Sequence, residues 1–471
     1  MQVTGTLSAS LLRDASYFDN SLSYSSPMGT EKSGRLRRVL GVGFGLAVSV
    51  GATIGVGILR TPGLVAGQVH TPSTILFLWT VAGLYTLLGA NCLTELGTML
   101  PQDGGYYVYV RHAFGNTVGF AVGWTDWLTY CSVLAYVSIA IAEFIAVLVP
   151  SVSSAVRLVA IFILIAVVVL QWMGIRVSSQ FQEMTTSLKC LAFFALIVAC
   201  LLVPARRYAS EGGIAPAMTF SGLVIALQAI VITYGGWQSP LYFTEEDRDP
   251  SRNLPRTMIG GVLSVIVIYL LINVALLKVL PMSGLASATL PAADAAHVIA
   301  GLRGRDFITV LSVVSLVPVL NAIMMIGTRI VFAMGRDRLF WSRTATVNAG
   351  GTPGGATLLT TAIAVGLIAT GTFQRLVAMT SFFLAANYCL CCLALIALRY
   401  REPEARRPYR AWAYPWSAWI VATGALIFLV ATLAGDTFNG LAAIGLCAVG
   451  LIGRAALTSR TTYITSSSRR R

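Results

Sequence analysis

The sequence predicts an all-α polytopic membrane protein with about twelve transmembrane helices. Three observations carry that expectation. Of 471 residues, 56% are hydrophobic and only 11% charged, whereas soluble domains carry about 25% charged residues. The apolar residues gather in stretches of about 20, the length that crosses the hydrocarbon core as a helix. These stretches, such as Ile161–Leu170, are apolar on every face, whereas a spanning barrel would need short alternating strands.

Candidate spans fall at 39–66, 73–99, 117–149, 157–173, 184–204, 220–243, 257–280, 306–334, 355–373, 376–398, 413–433 and 438–454. Residues 1–36 precede them. They are polar and rich in Ser, with no long apolar core after a basic start. A disordered cytoplasmic tail is expected there rather than a cleaved signal peptide. The other end, 455–471, is a second polar tail whose terminal arginines suit anionic lipid.

The net charge of +14 invites a nucleic-acid reading. The distribution argues against it. With an even number of crossings and the N-terminus inside, most of the 33 Lys and Arg fall in the tails and cytoplasmic loops. That is the positive-inside bias of a membrane protein, so both termini are expected in the cytoplasm of a cell (plasma or inner) membrane.

Two spans contain glycine-rich interruptions. The first reads Gly51-Ala-Thr-Ile-Gly55-Val-Gly57, and the sixth Thr233-Tyr234-Gly235-Gly236-Trp237. Glycine weakens a helix by about 1 kcal/mol and admits unusual backbone angles. Close helix packing alone would explain a lone small-residue motif. Two breaks five crossings apart, in segments of opposite orientation, fit an inverted five-plus-five repeat better. The expected organisation is 37–204 for the first repeat, 205–411 for the second, and 412–454 for two additional helices.

A helix broken inside the bilayer leaves N–H and C=O groups that need partners. A zwitterion supplies them. Its carboxylate accepts from N–H groups at the positive start of one half-helix, and its ammonium donates to carbonyls at the end of another. Such a site reads the part common to all amino acids and needs no charged side chain.

These residues resemble the amino acid–polyamine–organocation permeases. The resemblance rests on four stretches in register. They are Gly51–Ile58; Glu95-Leu96-Gly97 with Pro101 and Gly104–Tyr109; Tyr234–Trp237 running through Thr244-Glu245-Glu246 to Asn253-Leu254-Pro255; and Arg399–Arg410 before Tyr414-Pro415. The third stretch is most similar to the L-type amino-acid transporter branch. The resemblance implies a LeuT-type fold, alternating access, and a site between the first and sixth helices. It implies that Val56 and Gly57, with Ile54 and Gly55 beside them, present N–H groups to a carboxylate. It implies that Thr53 and Ile232 present carbonyls to an amine, and that Tyr234, Gly235, Gly236 and Trp237 shape the pocket.

There are departures. Val56 stands where many relatives carry Ser, and Ile232 stands where L-type transporters carry a gating Phe. Arg60 follows the first break, either snorkelling outward or facing the vestibule. The loop near Pro150–Arg157 has no Cys, so no disulfide-linked heavy subunit is expected.

Lys189 lies in the fifth span. It either snorkels to the cytoplasmic face or is functional. The resemblance places such a lysine where sodium-coupled relatives hold sodium, bracing the first and eighth helices. A desolvated lysine that releases its proton would also couple transport to protons. Asp126 in the third span either carries a proton or pairs with a neighbouring helix. Glu143 lies nearer the outer end of that span, and Arg329, late in the eighth, is expected to snorkel inward. The eight cysteines read as small packing residues without zinc spacing.

An enzyme is not expected. His70, His112 and His297 lie outside or at the edges of spans, and no HExxH or GxSxG is present. No cofactor or metal is expected. The reading that remains is a secondary active permease for small-molecule amino acids, favouring neutral ones, by proton coupling or exchange. A polyamine, amine or cationic amino-acid exchanger is the alternative; the broken spans carry no acidic residue to receive a polycation.

Overall fold

The computed structural model describes residues 36–55, 57–204, 218–371, 373–435 and 437–468. Residues 1–35, Val56, 205–217, Thr372, Asp436 and Arg469–Arg471 lie outside the described residues, so the expectations for residues 1–35 and for Val56 are not addressed by it; most of the expected tail 455–471 is instead helical, the continuation of α15 to Ser468. Among the described residues every regular element is helical, and the one β-bridge joins Leu40 to Asp247.

The first span is two helices, α1 (Val42–Thr53) and α2 (Gly57–Gln68), meeting at a bend of 43°. Next come α3 (Pro72–Met99), the short α4 (Tyr106–Phe114), α5 (Asn116–Leu148), α6 (Val156–Trp172) and α7 (Ile175–Leu202). The second half has α8 (Phe220–Tyr234), a 3-10 turn at Ser239–Phe243, α9 (Pro250–Val279), α10 (Met282–Ser287) and α11 (Pro291–Arg336). It closes with α12 (Gly354–Thr370), α13 (Phe373–Arg401), α14 (Trp416–Gly435) and α15 (Thr437–Ser468). Proline opens α3, α9 and α11, where its missing N–H has no helical partner to lose.

Among the described residues ten helices are long and apolar enough to cross a bilayer, and the bent α1–α2 pair makes eleven. The remaining expected span, the ninth at 355–373, is α12, which has 17 residues. That is the short limit for a crossing. The eighth span begins earlier than expected. The polar stretch before 306 joins α11 through a kink at Ala300 and Gly301.

Apolar side chains fill the core and also cover much of the outside of the bundle. In α6 only the stripe Ala160, Leu164, Val167, Val168 and Gln171 is buried, while Phe162 and Val169 are exposed. Spacings of three and four put that stripe on one helix face, and the remaining apolar faces meet lipid. By contrast α11 is buried along most of its length, so it forms the centre of the bundle.

One end of the bundle is tied by buried ion pairs, to which three of the four stretches quoted above contribute. Glu95 in the last turns of α3 receives Arg399 at 2.8 and 2.5 Å and Arg407 at 3.2 Å. Glu246, in the link before α9, receives Arg329 of α11 at 2.9 Å. The inward-snorkelling expectation for Arg329 is therefore corrected. Its side chain is 1% exposed, shared between Glu246, the Thr328 hydroxyl and the Met325 carbonyl. A carboxylate distant in sequence outcompetes water for it. The Glu246 carbonyl also accepts from the N–H groups of Val39 and Leu40 at 3.0 Å, fastening the approach to α1 onto the same cluster.

Candidate functional site

The two interruptions face each other. Helix α1 ends at Thr53 because Ile54 turns extended (φ −78°, ψ 99°). Helix α8 ends at Tyr234, with Gly235 extended and Gly236 at φ +117°. A side chain at Gly236 would sit 2.7 Å from the carbonyl carbon and oxygen of Ala52. Only glycine lets the two backbones approach this closely. The Ser49 hydroxyl donates to the Trp237 carbonyl at 3.3 Å, and Thr61 pairs with Thr233 at 2.7 Å, so both halves of the first span are tied to the second break.

The loop after the second break is internally fixed. The Gly236 N–H donates to Gln238 Oε1 at 3.0 Å, and the Ser239 hydroxyl donates to the Gly236 carbonyl at 2.5 Å. Trp237 is buried against the Tyr388 ring, centroids 5.6 Å apart. Tyr234 is buried between Trp79 and Tyr269, and its hydroxyl donates to the Trp79 carbonyl at 3.1 Å.

Lys189 of α7 does not reach the membrane surface. Its ammonium is fully buried and donates to the carbonyls of Gly51 (2.7 Å), Ile54 (2.5 Å) and Ser315 (3.0 Å). An ammonium has three N–H donors and each has an acceptor. Two of these carbonyls belong to the end of α1, whose helix dipole is negative there, so a fixed cation is electrostatically favoured. The third belongs to α11. Gly51 is packed against Gln182 and Thr186 of α7, which brings the lysine within reach.

The sequence-derived residues do not all gather here. Thr53, Ile54, Gly55, Gly57, Tyr234, Gly235, Gly236 and Trp237 border the two breaks. Ile232 is 48% exposed and lines an apolar cavity of about 360 Å³ with Tyr85, Leu384, Tyr388 and Phe428. Asp126 is buried in α5 and accepts from the Tyr242 hydroxyl at 2.7 Å, within a group of tyrosines that includes Tyr106 and Tyr130. Arg60 is exposed.

Sequence reading missed three participants. Tyr269 of α9 donates to the carbonyls of both Thr53 and Thr233 at 2.9 Å. Asn321 of α11 joins Gln171, Ser178 and Gln182 in a buried polar network between α6, α7 and α11. Asp103, in the turn between α3 and α4, is fully buried, accepts from the Glu245 N–H at 2.8 Å, and has an unpartnered second oxygen. Burial, then Glu246 and Glu245, pushes its carboxyl well above the ordinary carboxylate range. A lone polar group in an apolar helix was the available signal for Tyr269 and Asn321, since buried polar tips find partners.

A helical bundle with its first and sixth spans interrupted and docked break to break, and a lysine ammonium on the first break, defines a membrane transporter of the amino acid–polyamine–organocation type. The chain belongs to the amino acid permease family, whose sequence model matches residues 45–444. It is 28% identical to the serine/threonine exchanger SteT of Bacillus subtilis, over 90% of this chain and 97% of that one. It is 26% identical to the human b(0,+)-type amino acid transporter 1, over 80% of each chain. Similarity to the human large neutral amino acids transporter small subunit 2 is 27% over 80% of this chain and 72% of that one. The chain is a multi-pass amino-acid permease and not an enzyme.

Proposed function

We propose that the chain carries neutral amino acids by alternating access, with the substrate zwitterion held on the backbone of the two breaks. The observation that carries this reading is the apposition of the ends of α1 and α8 at Gly236. The carboxylate belongs at the start of α2, where Gly57 and its neighbours have N–H groups without helical acceptors. The ammonium belongs at the carbonyl ends of α1 and α8. Thr53, Ile54, Gly55, Val56, Gly57, Ile232, Tyr234, Gly235, Gly236 and Trp237 compose or border this site, and the two arms are an inverted repeat. None of the described residues at the breaks is acidic, which favours a zwitterion over a polyamine.

Lys189 replaces a sodium ion, so transport runs without sodium. Either it or Asp126 links the cycle to protons, or the carrier exchanges one amino acid for another. Serine, threonine and large neutral amino acids are the first substrates to try, since these name the relatives the chain resembles. The chain acts in the cell membrane with both termini cytoplasmic, without a disulfide-linked heavy subunit.

The test is purified protein in liposomes with labelled serine, threonine, leucine, arginine and putrescine. Sodium is replaced by choline, and vesicles are preloaded or given a proton gradient. Sodium-free uptake of a neutral amino acid is expected. Strict sodium dependence overturns the role of Lys189, and uptake of putrescine alone overturns the zwitterion site. Terminal fusion reporters on opposite sides of the membrane overturn the inverted repeat.

A further inference from the structure

We propose that Arg60 is a charge filter on the approach to the site: it holds back cationic amino acids, passes neutral ones and draws in those with a second carboxylate. The inference rests on the zwitterion reading above and narrows its substrate class. It starts from the faces of α2. Gly57, Arg60, Leu64 and Gly67 are exposed. Steps of three and four residues put all four on one face of the helix. Ile58, Leu59, Thr61, Pro62, Gly63, Val65 and Ala66 are buried, and the helix packs chiefly against α8 and α10.

The open face begins at Gly57, the first residue of α2, where the substrate's carboxylate belongs. Arg60 stands three residues further along it, a rise of about 4.5 Å. A ligand that reaches the Gly57 N–H over this face passes the guanidinium.

That face meets water rather than lipid. The arms α1 and α2 have 12 residues each, so the break falls at the middle of the span. Arg60 lies eight residues, about 12 Å, from the far end of α2 at Gln68. A charge at such a depth is paired or lines a water-filled cavity. Arg329, Arg399 and Arg407 each meet a buried carboxylate, but none pairs with Arg60 among the described residues. The start of α2 carries the positive end of its helix dipole, and the exposed guanidinium adds a unit charge in the same space. A lysine or arginine side chain entering there is repelled, and a glutamate or aspartate side chain is attracted.

The experiment measures inhibition of labelled L-serine or L-leucine uptake into liposomes, whichever wild type takes up faster. The inhibitors are two near-isosteric pairs, L-glutamate with L-glutamine and L-arginine with L-citrulline, so each pair isolates the side-chain charge. In Arg60→Gln, arginine relative to citrulline should improve about fivefold, and glutamate relative to glutamine should weaken about as much, as for a unit charge about 8 Å away at an effective dielectric of about 40. Arg60→Lys keeps the charge and should keep both ratios. A purely structural role would move all four inhibitors together. Equal shifts within each pair, or ratios unchanged from wild type, overturn the filter, as do charged inhibitors that fail to compete in every variant. If Arg60→Gln does not fold, Arg60→Met is read the same way, and failure of both to fold overturns the filter by making the arginine structural. Uptake of neither serine nor leucine by wild type overturns the neutral amino-acid reading, and the filter with it.

Discussion

Gly236→Ala adds one methyl group where the two breaks touch. The added carbon would lie 2.7 Å from the Ala52 carbonyl carbon and oxygen and 2.8 Å from the Thr53 nitrogen. All three are backbone atoms, so no rotamer change relieves the overlap. Reaching ordinary contact requires α1 and the second break to separate by about 0.7 Å. The φ of +117° is itself unfavourable for alanine. Backbone strain of this kind costs about 1–3 kcal/mol, and a stretched buried hydrogen bond adds about 1 kcal/mol. The bonds at risk are those that hold the breaks together: Tyr269 to Thr53 and Thr233, and Ser49 to Trp237. If the strain of about 2–4 kcal/mol falls on the substrate-binding conformation, affinity drops about 30- to 1,000-fold. The assay is equilibrium binding of the best wild-type substrate to purified protein, with size-exclusion profiles reporting folding. Gly366→Ala is the control, since a methyl group there meets nothing within 4 Å. Binding by folded Gly236→Ala within threefold of wild type would refute the claim that this backbone approach shapes the site.

Lys189→Met leaves the carbonyls of Gly51, Ile54 and Ser315 without their donor, at about 1–3 kcal/mol each. Sodium-free uptake should vanish, and Lys189→Arg should not restore it, because a planar guanidinium cannot aim at three converging carbonyls; undiminished uptake by the Met variant would discard the brace. Arg329→Met strands the buried Glu246 carboxylate and should cost about 3–5 kcal/mol, part of which returns in the double variant with Glu246→Gln. A thermal-unfolding cycle reads this, and additive effects would contradict the pairing. Asp103 holds its proton in the folded protein to well above the unfolded value of 3.8. Its stabilising contribution is present below that value and is lost as pH rises through the folded one, because the native state then binds more protons than the unfolded chain. Asp103→Asn keeps an acceptor for the Glu245 N–H and should flatten that fall in unfolding midpoint; equal slopes in both proteins would reject the assignment.

How much was legible without coordinates depended on whether the signal was local. The spans were readable because twenty consecutive apolar residues have one stable fate in a bilayer. The breaks were readable because Gly51–Gly57 and Gly235-Gly236 carry the backbone freedom that interruption needs. Their five-span offset also suggested which helices should meet. Lys189 stood out as a charge in lipid, whose burial is expensive and therefore functional or braced.

What only the tertiary structure decided was the choice among partners. Arg329 could have reached water, as its position near a span end suggested. It pairs instead with Glu246, 83 residues earlier in the chain. Lys189 had two readings from sequence, and three converging carbonyls exclude the snorkelling one. Tyr269 stood out locally only as a polar tip in an apolar helix; its partners, two helix ends that are 180 residues apart, each within 2.9 Å, appear only in the packed bundle. Composition determines that a segment is buried in lipid, because transfer of apolar side chains depends on each segment alone. Hydrogen bonds and ion pairs are short-ranged and directional, so which buried polar group meets which is determined only when the helices pack.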